Sequence, residues 1–148
     1  VYDGKLYAGV SRYSGTGSGL KPSENTVPGG KIYRYEGGKK WVDCGRLSNP
    51  KTGDADAIAG LVVFDGKLYA TPIYKTGRGL YRYEGGEKWT YCSTYDDYRI
   101  VHTTTFNGNL YGTSYDKEAG VMQYDGGVSF TSCGNPAKAW QSYAFMAY

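Results

Sequence analysis

Short apolar runs broken by Gly-rich turns set the pattern of the chain. In its middle, Gly60-Leu61-Val62-Val63-Phe64 runs into Asp65-Gly66, and Lys67-Leu68-Tyr69-Ala70-Thr71 runs out. An Asp-Gly or Asn-Gly pair between apolar runs is the strongest short-range hairpin pattern, because a type I′ turn needs positive φ at both central residues. Leu80-Tyr81-Arg82-Tyr83 then alternates apolar or aromatic with polar, as a half-buried strand does. Glu84-Gly85-Gly86-Glu87-Lys88 reads as a second hairpin and Trp89-Thr90-Tyr91-Cys92 as a fourth strand. No segment sustains a 3.6-residue period, so the expected fold class is all-β.

This arrangement is written three times. Asp3-Gly4-Lys5-Leu6-Tyr7 returns as Asp65-Gly66-Lys67-Leu68-Tyr69 and as Asn107-Gly108-Asn109-Leu110-Tyr111. Ile32-Tyr33-Arg34-Tyr35-Glu36-Gly37-Gly38 returns as Leu80-Tyr81-Arg82-Tyr83-Glu84-Gly85-Gly86 and as Val121-Met122-Gln123-Tyr124-Asp125-Gly126-Gly127. Each unit closes on an aromatic residue and a cysteine: Trp41 and Cys44, Trp89 and Cys92, Phe130 and Cys133. A tandem repeat of about 40–50 residues with four strands per unit points to β-propeller blades. The blocks resemble kelch-like and related bacterial propeller repeats, in which a Tyr stands about one hairpin before a Trp. Tyr35 and Trp41, then Tyr83 and Trp89, carry that relation, and Phe130 follows Tyr124 in the third unit. The double Gly of kelch is here only Ala8-Gly9, Ala70-Thr71 and Gly112-Thr113.

The expected architecture is therefore three four-stranded antiparallel blades. Blade one covers about residues 1–45, blade two about 58–92 and blade three about 100–133. The sequence begins at the first hairpin of a unit, and residues 143–148 read as the strand that precedes such a hairpin. The expectation is that this end strand completes blade one. A closed propeller takes about four to eight blades, so three are half of a six-bladed ring. Two sources for the other half stay open: a second copy joined head to tail as a homodimer, or the rest of a longer propeller.

Composition narrows the function classes. The chain of 148 residues holds 23 Gly and 17 Tyr, and its 17 basic against 14 acidic residues give a net charge of +3. That balance argues against a dedicated nucleic-acid binder, and no run of 18 apolar residues exists to span a membrane as a helix. The three Cys occupy equivalent unit positions and form no C-x-x-C pair, so they are expected to be free, buried thiols rather than a disulfide or zinc set. Trp41, Trp89 and Phe130 are expected to pack between blades.

Function is expected in what does not repeat. The connections after the second and fourth strands of each unit leave on one face and vary in length. They bring forward Arg12, Tyr13, Asp54, Asp56, Tyr95, Asp97, Arg99, His102, Tyr115 and Trp140 as candidate ligand-binding residues. Aromatic rings stack on the apolar faces of sugars while Asp and Arg take the hydroxyls, so carbohydrate is the first ligand class and a protein segment the second. Asp54-Ala55-Asp56 hints at calcium, but the EF-hand pattern is absent, and no metal or cofactor is assigned. His102, the only His, could act as a base beside a carboxylate, but no nucleophile-elbow, zincin or P-loop pattern accompanies it. The reading is a non-enzymatic binding or scaffold module; the alternative is part of a propeller enzyme acting on polysaccharides, whose carboxylates would come from among the loop Asp residues.

Overall fold

A computed structural model of the chain describes residues 1–12, 28–74, 76–93, 99–114, 120–139 and 144–145. Among them the structure is all-β, with thirteen strands, four antiparallel sheets and one 3₁₀ turn at Pro136–Lys138. Strands β1 (Tyr7–Gly9), β2 (Lys31–Gly37) and β3 (Lys40–Arg46) form a three-stranded first sheet. A two-stranded ribbon follows, β4 (Ser48–Asn49) with β5 (Gly53–Asp54). The second sheet is β6 (Ile58–Phe64), β7 (Lys67–Pro72), β8 (Tyr81–Gly85) and β9 (Lys88–Tyr91). The third is β10 (Ile100–Phe106), β11 (Asn109–Ser114), β12 (Val121–Tyr124) and β13 (Phe130–Ser132). Within each sheet the strands pair in chain order. The end strand expected at 143–148 lies outside the described residues, apart from Ala144 and Phe145, which carry no strand.

The turns follow their residues. Asp3, Asp65 and Asn107 have φ of 49°, 47° and 48°, and the glycines after them 66°, 65° and 73°. Both central residues are thus left-handed, as a type I′ hairpin requires. The second hairpin of each unit is held by a repeated tyrosine. The hydroxyls of Tyr35, Tyr83 and Tyr124 donate to the carbonyls of Gly38, Gly86 and Gly127 at 3.2, 2.9 and 2.6 Å. Each of these rings also lies on the aromatic residue six positions on: Tyr35 on Trp41, Tyr83 on Trp89 and Tyr124 on Phe130, with centroids 5.0, 4.9 and 5.3 Å apart. The Tyr-to-Trp spacing is therefore a cross-strand pair over one turn, registered as Tyr35 with Trp41, Tyr83 with Trp89 and Tyr124 with Phe130.

The sheets stack face on face, and two cores lie between them. Ile32, Cys44 and Leu47 of the first unit meet Leu68, Ala70, Tyr81 and Tyr83 of the second. Tyr69, Leu80 and Cys92 of the second unit meet Ile100, Leu110, Met122, Tyr124 and Phe130 of the third. The two junctions use equivalent positions. Tyr2, Tyr7 and Tyr83 make a ring triad across the first, with centroids 5.9 to 6.4 Å apart. Phe64, Tyr69 and Tyr124 make the same triad across the second, at 5.8 to 6.2 Å. Aromatic pairs of this kind add about 0.5–1.5 kcal/mol each beyond their buried area. Exposed ion pairs such as Lys5 with Glu36 contribute about 0–1 kcal/mol, so burial of rings, not surface charge, holds the sheets together.

Two expectations are corrected. Cys44 and Cys92 are free and buried as expected, but Cys133 is free and exposed. Trp89 packs at the first junction and Phe130 is buried in the second, but Trp41 is 44% exposed. The physical reason is the same for both. A forward-facing Cys is covered by the next sheet and a backward-facing aromatic by the previous one. Among the described residues no sheet follows the third or precedes the first.

The close approach of the second and third sheets depends on Gly60. A methyl there would press on Thr71 Oγ1, the Val101 carbonyl and Thr103 Oγ1, and the Thr71 hydroxyl already donates to that same Val101 carbonyl. Gly60→Ala is expected to destabilise the fold by about 1–3 kcal/mol through overpacking, measured by denaturant unfolding. Burial also pushes the phenols of Tyr81, Tyr83 and Tyr124 well above their usual 10.0, that of Tyr124 to about 12. The folded state therefore favours the neutral rings. Their contribution is fully present below pH 10.0 and is lost as pH rises through the raised values. The expected outcome is an alkaline unfolding transition that coincides with the tyrosinate absorbance change and shifts upward in Tyr81→Phe.

Candidate functional site

The long connections leave from one end of the sheets, where the start of β6 pairs with the end of β7 (Ile58 with Pro72) and the start of β10 with the end of β11 (Ile100 with Ser114). At this end the connection between the first and second sheets is ordered by its own polar residues. Asn49, only 1% exposed, donates from Nδ2 to the Arg78 carbonyl at 2.7 Å. Its Oδ1 accepts the backbone N–H groups of Lys51 and Thr52 at 2.7 and 3.3 Å. That Asx turn closes the β4–β5 ribbon, which the pattern of apolar residues did not predict because two-residue strands are too short to alternate. The Arg78 N–H donates to Thr52 Oγ1 at 3.1 Å. The Tyr81 hydroxyl donates to the Gly77 carbonyl at 2.6 Å. The connection from β3 and the loop after β7 are thereby joined into one surface.

Arg46 organises the charge on that surface. Its Nη1 lies 2.9 Å from Asp54 Oδ2 and its Nη2 3.7 Å from Asp56 Oδ1, while its Nε donates to the Ala55 carbonyl at 3.0 Å. The second oxygen of Asp56 accepts from the Thr76 hydroxyl at 3.0 Å, and its backbone carbonyl accepts the Arg12 N–H at 2.8 Å. Ser11 and Ala57 form a bridge beside it. Asp54 and Asp56 keep side-chain exposures of 55% and 46%. Tyr74, on the loop that carries Thr76, is 39% exposed, and the neighbouring Ile73 N–H donates to the Ala57 carbonyl at 3.3 Å. The result is a solvent-facing Asp–Arg–Asp group with the Thr76 hydroxyl bonded to it from an adjoining segment, which also carries the exposed Tyr74.

Of the expected site residues, the structure brings Arg12, Asp54 and Asp56 together, Arg12 through its backbone with an exposed side chain. Arg99 and His102 are half-buried at the head of β10 and within it, and the His102 N–H donates to Thr113 Oγ1 at 3.4 Å. Tyr13, Tyr95, Asp97, Tyr115 and Trp140 lie outside the described residues. Arg46, Asn49, Tyr74 and Thr76 were missed. Arg46 left only a faint trace in the sequence, as a cation two residues after Cys44 that the other two units do not repeat. Among the described residues no three His, Cys, Asp or Glu side chains gather to hold a metal. No helix among them is long and apolar enough to cross a membrane.

Two grooves lie away from this end. One of about 460 Å³ runs between the Phe64–Gly66 and Phe106–Gly108 turns. The other, about 340 Å³, is lined by Ala8, Val10, Tyr33 and Trp41 on the outer face of the first sheet. The sequence matches no protein-family model and no curated protein.

Asn49 and Arg46 should separate in a stability assay. Asn49→Ala removes three hydrogen bonds made by one buried side chain, to the Arg78 carbonyl and the Lys51 and Thr52 N–H groups, and a loss of about 1–3 kcal/mol is expected. Arg46→Ala breaks half-exposed ion pairs, worth about 0–1 kcal/mol, and a single hydrogen bond to the Ala55 carbonyl, and should cost less than Asn49→Ala. Equal losses in urea unfolding would contradict this division of roles.

Proposed function

We propose that the chain is a propeller-type module whose three repeat units are blades, and that its loop end binds carbohydrate without catalysing a reaction. What supports the frame is the repetition itself: equivalent hairpins, equivalent tyrosine bonds and equivalent ring triads at both junctions between sheets. What carries the functional reading is the Asp54–Arg46–Asp56 group with the Thr76 hydroxyl bonded to Asp56, on a segment that also carries the exposed Tyr74. Vicinal sugar hydroxyls both donate and accept. The carboxylates take the donated protons, the guanidinium supplies hydrogens, and an exposed ring offers a face to sugar C–H groups. Both acids lie on one cation and open to water, which suits recognition. A general acid for glycoside cleavage would instead need a carboxyl kept protonated by burial.

The ring needs further blades, from a second copy or from the rest of a longer propeller. No nucleic-acid or membrane partner is proposed. Cation-to-phosphate contacts would need a basic face, whereas the cation of this group is neutralised by two acids.

A glycan array followed by calorimetry on the best hit tests the proposal. Hydrogen bonds to charged groups are worth about 1.5–3 kcal/mol, so Asp54→Ala and Asp56→Ala should each weaken binding about tenfold to a hundredfold. Binding of peptides alone would replace carbohydrate by a protein segment. Turnover of a polysaccharide, lost in Asp54→Ala or His102→Ala with the fold intact, would overturn the non-enzymatic reading in favour of a propeller enzyme.

A further inference from the structure

The two outer faces of the stack carry the two halves of the junction that the inside repeats. At the inner junctions, the forward face presents a pair of rings ahead of and behind the type I′ turn, with a cysteine on the fourth strand. Those are Tyr2, Tyr7 and Cys44 in the first unit and Phe64, Tyr69 and Cys92 in the second. The backward face of the following unit answers with a tyrosine and its aromatic partner, Tyr83 with Trp89 and Tyr124 with Phe130. The third unit still has its own forward set. Phe106 and Tyr111 stand with ring centroids 6.5 Å apart, Phe106 is 51% exposed, and Cys133 is exposed. The first unit has its own backward set. Tyr35 lies on Trp41 at 5.0 Å, Trp41 and Leu6 are 44% and 52% exposed, and the groove of about 340 Å³ opens beside Trp41.

We propose that the forward face of the third sheet docks on the backward face of the first sheet of a second copy, giving a closed head-to-tail dimer. Tyr35 of one copy then completes the triad begun by Phe106 and Tyr111 of the other, as Tyr83 and Tyr124 do inside the chain. One polar bond follows as well. At the first inner junction Trp89 Nε1 donates to the Cys44 carbonyl at 2.7 Å, so Trp41 Nε1 donates to the Cys133 carbonyl across the dimer. An interface built from faces that already fit each other within the chain needs no new complementarity. Two copies use every outer face once, so the contact closes and does not propagate. Only the stoichiometry rests on the propeller reading; the contact rests on the repeated packing, and failure of sugar binding would leave it standing.

Sedimentation of the full chain over a range of concentrations, with the thiol reactivity of Cys133, tests this. The expected species has twice the 16.2 kDa chain mass, with Cys133 protected. Trp41→Arg and Phe106→Glu change exposed residues on opposite outer faces, and each should abolish the dimer and expose Cys133 while Cys44 and Cys92 stay protected, which reports an intact fold. An equimolar mixture of the two variants should dimerise again, because one intact junction remains between them. A monomeric wild-type chain, a ladder of ever larger species, a dimer indifferent to both substitutions, or a mixture that stays monomeric would each overturn the proposal.

Discussion

Where Tyr83 closes on Tyr2 and Tyr7, and Tyr124 on Phe64 and Tyr69, one sheet is buried against the next. A two-stranded hairpin is marginal by itself in water, and even a larger sheet needs an apolar face to cover. Here each unit supplies a face in both directions. Tyr81 is 1% exposed and Leu80 is fully buried, although they are adjacent in sequence, because they point to opposite sides of the second sheet. The middle sheet is thus the anchor of the stack, and among the described residues the outer sheets are each covered by a sheet on one side only.

That packing also decides where polar chemistry can sit. The stacked faces leave little room for charge. Arg34 and Arg82 run along their sheets to Glu36 and Glu84 two residues on, and the buried Thr71 bonds its hydroxyl to the Val101 carbonyl of the next sheet. At the end where connections leave, the loop after β7 is held against the connection from β3 by Asn49 and Thr52. This is what places Thr76 on Asp56 across 20 residues of sequence. The Arg46 group is therefore a product of the junction between two sheets, not of either sheet alone.

Much of the frame was legible because its determinants are local. A type I′ turn is written in two residues, a strand in alternation, and the Tyr-to-Trp pair in a fixed spacing over one turn. Asp65-Gly66, Leu80-Tyr81-Arg82-Tyr83 and Tyr83 with Trp89 could be read directly and appear as such. The candidate site was legible only in part. Asp54, Asp56 and Arg12 stood out as unrepeated polar residues, but Arg46, the common partner of the two acids, lies on a strand, outside the loops where function was expected. Asn49 looked like an ordinary turn residue, and its burial comes from the second unit's loop.

The sequence by itself determined the unit: its strands, its turns, which residues of a strand share a face, and that the unit recurs. Only the tertiary structure decided which copies of an equivalent position are covered. Cys44 and Cys133, or Trp89 and Trp41, hold the same place in the unit and differ in exposure. The physical reason is that burial belongs to a pair of faces. Alternation along a strand says which way a side chain points, whereas what lies opposite depends on the neighbour that packs there.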